Sequence, residues 1–493
     1  MRRFAFGREQ RGYGAFLLAG ALLGLAAAAL TGRALERTQT AYAGREAVLA
    51  AEVEQVSASY YPGVVRAVLR VEEADGKKVR FRIEVAALPK CETGTRVKGR
   101  FALEAPDRTQ ALSTYADGIA LSGECLTKLT RLGESGSFRA RTARLQKRLS
   151  AALRQGMPQE PAGVLAAMVV GDRSILSKKL KNAYRAAGLS HVLVISGMHV
   201  SILCGDLFGG DEETFEKRKE RSYASRRAKA LFRALLALLL VGVTGFTPSV
   251  LRAAGAVWIS ALGVWVYGAP DALTSLGVAG VVMTLGNSYA VCDVGFELSF
   301  AAVLGTLAGA ELARRGRAAH RVSRKKAMPQ NRSIGPWKRW AAVWAGSLWE
   351  TVCVSGCASA ATFPVLVLRG MSASLYALVS SVAVLWMVEP ILLLGLATAL
   401  LGLWPMLAPV QRLASLGAVF LTDLLDRWAL WVSGWPGAQL WFDTAYAALV
   451  CLILMGLAGL ALYWKVRLRV ALPALVLTAA LAIGAGNEWN KDV

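Results

Sequence analysis

The chain has 493 residues, of which 55% are hydrophobic and only 18% are charged, and its 57 Lys and Arg against 34 Asp and Glu give a net charge of +23. This apolar content excludes intrinsic disorder, and seven cysteines in so long a chain exclude a disulfide scaffold. The composition is typical of a membrane protein with basic loops.

The first apolar segment, residues 12–32, contains no charged residue and is long enough to cross the hydrocarbon core of a bilayer. Four arginines precede it, so the positive-inside rule places the N-terminus in the cytoplasm. A cleaved signal peptide is the alternative interpretation. We favour a retained transmembrane anchor over residues 1–32, because the run is long for a signal peptide and its end lacks a small-residue cleavage site.

Residues 33–135 are predicted to form an all-β domain outside the membrane. They begin a hydrophilic stretch, residues 33–160, with 22 Lys and Arg against 15 Asp and Glu. Apolar and polar residues alternate over 64–71 and 78–85, and Glu73-Ala74-Asp75-Gly76 between them indicates a hairpin. About five short strands predict a small barrel that is similar to an OB-fold.

The predicted strands carry basic residues at alternate positions, a pattern that suits a groove for single-stranded nucleic acid. These candidate DNA-binding residues are Arg66, Arg70, Lys78, Arg80 and Arg82. Phe81, Tyr60 and Tyr61 suit stacking on bases, and they suit a barrel core equally well. A structural spacer is the alternative, because any solvated strand face shows the same alternation.

The cysteines predict a disulfide and no metal site. Cys91 and Cys125 are the only two in the β domain, and an oxidising exterior predicts a disulfide between them. Cys353 and Cys357 stand four residues apart, but no His or acidic residue lies at ligand spacing from them. We therefore expect neither a metal ion nor another cofactor.

Residues 136–185 are predicted to lie on the membrane surface. Residues 137–155 contain six Lys and Arg and no acid, and Phe138, Leu145, Leu149 and Leu153 fall on one helical face. An amphipathic helix on the bilayer is the favoured interpretation, and a helix that contacts DNA is the alternative.

Residues 186–493 are predicted to form a polytopic helical domain with about ten further spans. The basic stretches 211–233 and 311–339 are expected to be cytoplasmic. That orientation requires one span between the N-terminal anchor and the first basic stretch, and an even number of spans between the two stretches. The apolar runs that satisfy it are 186–205, 234–246, 250–267, 273–289 and 294–310.

The spans after the second basic stretch are harder to assign. Residues 340–368 are predicted to form one span, and 370–411 to form two short spans broken at Glu389-Pro390. One span followed by a second over 413–435 satisfies the orientation equally well. Two further apolar runs, 446–464 and 471–484, complete a multi-pass protein of the cell membrane.

Polar residues within the apolar segments mark the candidate site, because burying one without a partner is costly. Ser196 and His199 are three residues apart on one predicted helix and, with His191, could line a wet interior face. A second cluster combines a helix-breaking Pro248 with Arg252, and a third contains the acids Asp293 and Glu297. Such clusters in apolar segments are typical of a pore or transporter. The candidate channel-lining residues are His191, Ser196, Gly197, His199, Pro248, Ser249, Arg252, Asp293, Glu297 and Ser299.

Two other interpretations of the Ser and His residues stay open. They could pack helices together, or Ser196 could be the nucleophile of an intramembrane hydrolase with His199 as its base. Against the hydrolase, side chains at this spacing on one helix rarely aim at each other, and no Gly-x-Ser-x-Gly elbow is present.

Three motifs of the sequence resemble the ComEC competence family. They are GLSHVLVISGMH at 188–199, Gly245 with Pro248-Ser249 and Arg252-Ala253, and Asp-x-Gly-Phe-x-Leu-Ser-Phe at 293–300. The VVGD at 169–172 and AATFP at 360–364 are also similar to the family. The resemblance covers roughly residues 46–490. It implies an inner-membrane channel that imports single-stranded DNA in natural transformation, with a secondary transporter of a small anion as the alternative.

The resemblance also implies partners: single-stranded DNA, the lipid bilayer, other DNA-uptake proteins and a cytoplasmic DNA translocase. Many members of the family continue into a metallo-β-lactamase-like domain with a His-x-Asp-x-Asp-His motif. This sequence has three histidines, His191, His199 and His320, and no such motif. We therefore expect no enzyme activity here, and any nuclease is expected to be a separate chain.

Overall fold

The computed structural model describes residues 10–58, 63–107, 110–155, 157–204, 223–266, 272–327 and 336–441, together with Ile453. Its contacts divide the chain into two units. The first comprises Met1–Leu176, Val192–Glu297 and Glu389–Thr422, and the second comprises Ser177–His191, Leu298–Val388 and Asp423–Val493.

Helix α1, Gln10–Tyr42, is longer than the predicted anchor, which ended at residue 32. The polar residues after that point do not stop the helix, and the hydroxyls of Thr38 and Thr40 donate to carbonyls four residues earlier within it. The helix ends before Gly44, whose φ of 74° is in the left-handed region.

Six strands and one short helix form the N-terminal sheet domain: β1 Arg45–Ala58, β2 Val64–Ala74, β3 Lys77–Pro89, β4 Thr95–Glu104, α2 Ala111–Ala116, β5 Leu121–Cys125 and β6 Thr130–Glu134. The strands pair in the order β1-β2-β3-β5-β4-β6, and a further pairing of β1 with β4 closes the first five into a barrel. Strands β3 and β5 pair in parallel, and the other pairs are antiparallel.

The apolar face of each long strand points into the barrel, where Leu49, Leu69, Ile83 and Val97 are fully buried. The predicted alternation in β2 and β3 is therefore confirmed. Their hairpin turns at Asp75-Gly76, and both residues have positive φ, as a two-residue hairpin loop requires. A slip of one residue would turn the apolar set toward solvent, so this alternation fixes the register.

The rest of the described chain is helical, with these bounds: α3 Phe138–Arg154, α4 Gln159–Val170, α5 Lys178–Ala186, α6 Ser190–Leu193, α7 Gly197–Cys204, α8 Tyr223–Val243, α9 Pro248–Val266, α10 Ala272–Gly286, α11 Val294–Ala327, α12 Pro336–Leu368, α13 Ala377–Leu401 and α14 Ala408–Ser433. Within the described residues, four helices are long and apolar enough to cross a membrane: α9, α11 over Val294–Arg317, α12 over Trp344–Leu368, and α13.

In the first unit, helices α7, α8 and α9 share one apolar core, to which Val200, Val241, Val250 and Ala254 contribute. Helix α3 packs on the same group of helices. A Cβ added to Gly242 of α8 would lie only 2.6 Å from the Thr142 methyl group, so glycine is needed for this approach. The helix that follows the barrel is thus built into the helical part of this unit.

In the second unit, helices α11 and α12 approach closely through small residues. A Cβ added to Gly305 or Gly309 would lie 2.5 Å from the carbonyl oxygen of Cys357 or Cys353, so both glycines let the backbones meet. Arg317 of α11 also forms an ion pair of 2.5 Å with Glu350 of α12. The two cysteines therefore belong to a helix interface.

Two predicted span assignments are wrong. Residues 186–205 do not form one helix, because Gly188 before α6 has a left-handed φ of 75° and the chain turns again between α6 and α7. Residues 370–411 are not broken at Pro390, which lies inside the continuous helix α13. Proline is tolerated in such an apolar helix when neighbouring groups satisfy the carbonyl that it frees. Helix α14 overlaps the alternative second span over 413–435, but it is not among the four candidate spans of the described residues.

Two other predicted spans, 446–464 and 471–484, lie outside the described residues.

Candidate functional site

The first motif is divided between a short helix and the start of the next one. His191 lies on α6, where its Nδ1 is 3.1 Å from the Gly188 carbonyl oxygen and its side chain is exposed. Ser196 immediately precedes α7, and the Val200 N–H donates to its carbonyl. The predicted single helix with all these residues on one face is therefore wrong.

Ser196 and His199 together cap the start of α7. The backbone N–H of Ser196 donates to His199 Nδ1 over 3.3 Å, and the Ser196 hydroxyl lies 2.8 Å from the same nitrogen. The third helical residue thus reaches back to the cap residue, as in a capping box with histidine in place of glutamate. The His199 side chain is fully buried (0% exposed), and its assignment to a channel lining stays a prediction.

The second motif forms the loop between α8 and α9. The Phe246 N–H donates to the Val241 carbonyl over 3.0 Å and closes the end of α8. Gly245 and Phe246 both have positive φ, of 81° and 62°. Pro248 is the first residue of α9, a position where its missing N–H costs no hydrogen bond. Ser249 follows it in the first turn.

The structure brings the first two motifs together with the turn at 169–172. A Cβ added to Gly197 would lie 3.3 Å from Nη2 of Arg252, so the guanidinium rests against the backbone at the start of α7. A Cβ added to Gly171 would lie 3.4 Å from Ile195 and 3.5 Å from Thr244. We call these five residues the motif junction: Gly171, Ile195, Gly197, Thr244 and Arg252.

The third motif begins beside the barrel. Asp293 caps α11 by accepting the Phe296 N–H over 2.8 Å, and Glu297 lies in the first turn. A short 3₁₀ turn, Ser288–Cys292, precedes it. The Asn287 side chain before that turn donates to the carbonyls of Tyr115 and Ala116 in α2, over 2.7 and 2.9 Å.

Ser299 of the third motif is buried.

The barrel face that was predicted to bind DNA is largely neutralised by carboxylates. Arg66 is paired with Glu84, and Arg70 with Glu52. Arg82 binds Glu54 over 2.8 Å. Three of the five predicted DNA-binding residues therefore already form ion pairs with glutamates of the same domain.

Glu52 and Glu54 are buried beneath the start of α3, at 2% and 7% exposure. The Ser137 hydroxyl donates to Glu52 over 2.5 Å, and Arg139 binds Glu54 over 2.6 Å. Burial lowers the pKa of Arg139, although the charge of Glu54 opposes that effect. This part of the predicted DNA-binding face is therefore the surface on which α3 docks.

Lys78 and Arg80 remain exposed near the hairpin, and the described structure shows no ion pair to either of them. Phe81, by contrast, is 9% exposed and belongs to the barrel core, where its ring centroid is 5.2 Å from that of Tyr42. Its suggested role as a stacking surface is thus contradicted. Tyr60 and Tyr61 lie outside the described residues.

Helix α3 forms as predicted, with Ser137 as its N-cap, but its basic residues meet acids of the same chain. Arg144 binds Glu134 over 2.9 Å and Lys147 binds Glu92 over 2.8 Å. Two basic side chains of the polar face therefore contact the barrel domain. Its placement on a membrane surface stays a prediction.

The structure does not show the predicted disulfide, and Cys91 and Cys125 are both free thiols in it. Cys125 pairs with Phe101 near the end of β4, and its Sγ lies 3.1 Å from the Thr127 carbonyl. Cys91 precedes the opposite end of β4 and is buried. The sequence shows two cysteines in the domain, but it does not show that strand pairing places them near opposite ends of β4.

Sequence reasoning missed Glu52 and Glu54. The available signal was two acids at alternate positions of a strand whose other face is apolar, which predicts that basic partners cover them. No group of three or more His, Cys, Asp or Glu residues arranged to hold a metal ion occurs in the part of the chain that the structure describes.

The comparisons with known proteins agree on one family. The sequence model of the Competence protein family matches residues 168–467, which is more than half of the chain. The ComE operon protein 3 of Bacillus subtilis (strain 168) is 30% identical over 176 residues. That alignment covers 36% of this chain and 22% of the relative, so about a fifth of the relative is spanned. No solved structure matches the chain.

Proposed function

The chain belongs to the Competence protein family, and from this premise we propose that it acts in DNA uptake as a channel that passes one strand inward. The four candidate spans suit a multi-pass protein of the cell membrane. In our proposal the N-terminus is cytoplasmic, and the barrel lies outside, where DNA arrives. The basic stretches 211–233 and 311–339 support this orientation.

The placement of Arg252 carries the proposal. This arginine lies in α9, a candidate span, and its guanidinium rests against Gly197 at the start of α7. An ionisable side chain at membrane depth usually serves a transport path, and a guanidinium binds phosphate through paired hydrogen bonds. Arg252 is therefore the proposed phosphate contact, with Ser249, Pro248 and Gly197 beside it.

The other motif residues take different proposed roles. His199 and Ser196 hold the start of α7 in place, as their capping geometry supports. Asp293 fixes the start of α11 next to the barrel, with Glu297 and Ser299 on the same helix. His191, which is exposed on α6, stays a proposed lining residue.

We propose that the barrel is OB-like and receives the strand. The closure of five strands in the order β1-β2-β3-β5-β4 supports this assignment. Lys78 and Arg80 are the proposed phosphate contacts of the barrel, because Arg66, Arg70 and Arg82 are paired with acids. Proposed partners are the other DNA-uptake proteins, a cytoplasmic DNA translocase and a separate nuclease.

Uptake of a duplex whose two strands carry different labels tests the proposal. We expect a strain that lacks the gene to import neither label, and the restored strain to accumulate one of them. If cells with a normal level of the protein took up neither label, the proposed channel function would be overturned. If the same cells then took up a small labelled anion only when the protein is present, the transporter alternative would replace it.

A further inference from the structure

Arg139 joins the barrel to the loop of the second motif. On one side, its guanidinium binds the buried carboxylate of Glu54 over 2.6 Å. Glu54 also binds Arg82 of β3 over 2.8 Å, so the carboxylate is held within the sheet. Because Glu54 is almost completely buried, it fixes the end of the Arg139 side chain against the barrel.

On the other side, the same guanidinium lies 4.6 Å from the centroid of the Phe246 ring. Phe138 meets that ring edge to face, with 6.4 Å between the centroids. Phe246 is therefore held by two residues of the first turn of α3. An arginine over an aromatic face is a favourable cation–π contact, and it strengthens when the pair is partly withdrawn from water.

The backbone of Phe246 needs such support. Its φ of 62° is in the left-handed region, where a residue with a bulky side chain is a genuine outlier. Such a conformation persists only when its surroundings fix it. Two residues after Phe246, Pro248 begins the helix that carries Arg252 to Gly197. The position of the ring thus sets where α9 begins.

We infer that Arg139 is a positioning residue, which holds the Phe246 loop, and through it Arg252, at a fixed place relative to the barrel. This inference deepens the proposed function and rests on it where DNA is concerned. Arginine suits the task because its planar guanidinium can bind a carboxylate at its edge and cover a ring with its face. Lysine would keep the charge without that geometry.

Hydrogen exchange of the full chain in lipid nanodiscs tests the inference without DNA. In the Arg139→Met variant, the amides of residues 244–247 and 249–251 should exchange about tenfold faster, in line with the loss of one cation–π contact. Arg139→Lys keeps a positive charge beside Glu54 but lacks the planar group that covers the Phe246 ring. Its loop should therefore stay fast. Arg148→Met, which removes an exposed arginine of α3, should change nothing.

Two outcomes would overturn the inference: an unchanged loop in Arg139→Met, or exchange at the wild-type rate in Arg139→Lys. If Arg139→Met does not fold, Phe246→Leu replaces it, since that variant keeps the ion pair and should also loosen the loop. DNA uptake should fall about tenfold in each loosened variant at equal membrane abundance. Absence of uptake by the wild type would refute the proposed function, while the exchange result would still decide the role of Arg139.

Discussion

The Ser196 backbone N–H donates to Nδ1 of His199, and the Ser196 hydroxyl lies 2.8 Å from that nitrogen. The pair thus closes the start of α7 rather than facing an open path. A serine hydrolase would need this nitrogen as its base, but here the nitrogen is shared with a backbone N–H and the His199 side chain is fully buried. The geometry therefore favours the packing interpretation of the first motif over the hydrolase.

The cap predicts how His199 variants behave. His199→Leu removes the acceptor and leaves the Ser196 N–H unpaired, so we expect a clear loss of membrane abundance, from a destabilisation of about 1–3 kcal/mol. His199→Gln keeps an acceptor at the third helical position and should retain most of the protein. Immunoblotting of membranes measures both. Normal abundance of His199→Leu would contradict the structural role.

The buried carboxylate of β1 predicts a stability difference between two glutamates of the same strand. Glu54→Gln should destabilise the barrel by roughly 2–3 kcal/mol, below the value for a fully buried pair because Arg82 is 37% exposed. Glu46→Gln removes an exposed pair of 3.8 Å with Arg100 and should cost less than about 0.5 kcal/mol. Protease resistance of the full chain in membranes compares them. Equal destabilisation by the two substitutions would contradict the claim that Glu54 anchors α3 on the barrel.

Asp172 predicts a loss of stability in acid. Burial opposes its ionisation, but hydrogen bonds from Ser150 and Ser174 and the charge of Arg154 outweigh burial and lower its pKa. A lowered pKa contributes stability above the unfolded value of about 3.9, and that stability is lost as the pH falls through the folded pKa. In Asp172→Asn, thermal unfolding should depend less on pH below about 4. If the unfolding temperatures of the wild type and of Asp172→Asn changed with pH in the same way, Asp172 would not be the source of the acid sensitivity.

The thiols of the barrel supply a further prediction. Without reductant, Cys91 and Cys125 should both react with a thiol reagent, with Cys125 faster because Cys91 is buried. Burial raises the pKa of both thiols, so reaction should be slow at neutral pH and accelerate in alkali. Mass spectrometry of labelled peptides measures each site. A peptide pair joined through these two cysteines would contradict the register of β4 and β5.

The sequence predicts those parts of the fold that depend on local periodicity. The alternation in β2 and β3 and the Asp75-Gly76 turn follow from period-two patterning, and α9 and α11 follow from long apolar runs. The prediction at Pro390 fails because a local rule treats proline as a helix break, whereas a long apolar helix can continue through one.

The candidate site is less predictable, since it depends on contacts between distant residues. The sequence marks Ser196, Gly197 and Arg252 as unusual, but only the packing of α7 on α9 places Arg252 against Gly197. In the same way, the alternating arginines of β2 and β3 predict a basic face that is free to bind DNA. Two of the acids that neutralise them, Glu52 and Glu54, come from β1, and the third, Glu84, comes from β3. Helix α3 covers Glu52 and Glu54 from 85 residues further along the chain.

The central claim is that Arg252 serves the passage of DNA, and uptake of labelled DNA by Arg252→Met cells tests it most directly. At equal membrane abundance, we expect uptake to fall about 10–100-fold, the loss of one charge-assisted contact. Arg252→Lys should be intermediate because it keeps only a point charge. Arg412→Met, which removes an exposed arginine of α14, is the control and should import normally. Wild-type uptake by Arg252→Met at normal abundance would contradict the account.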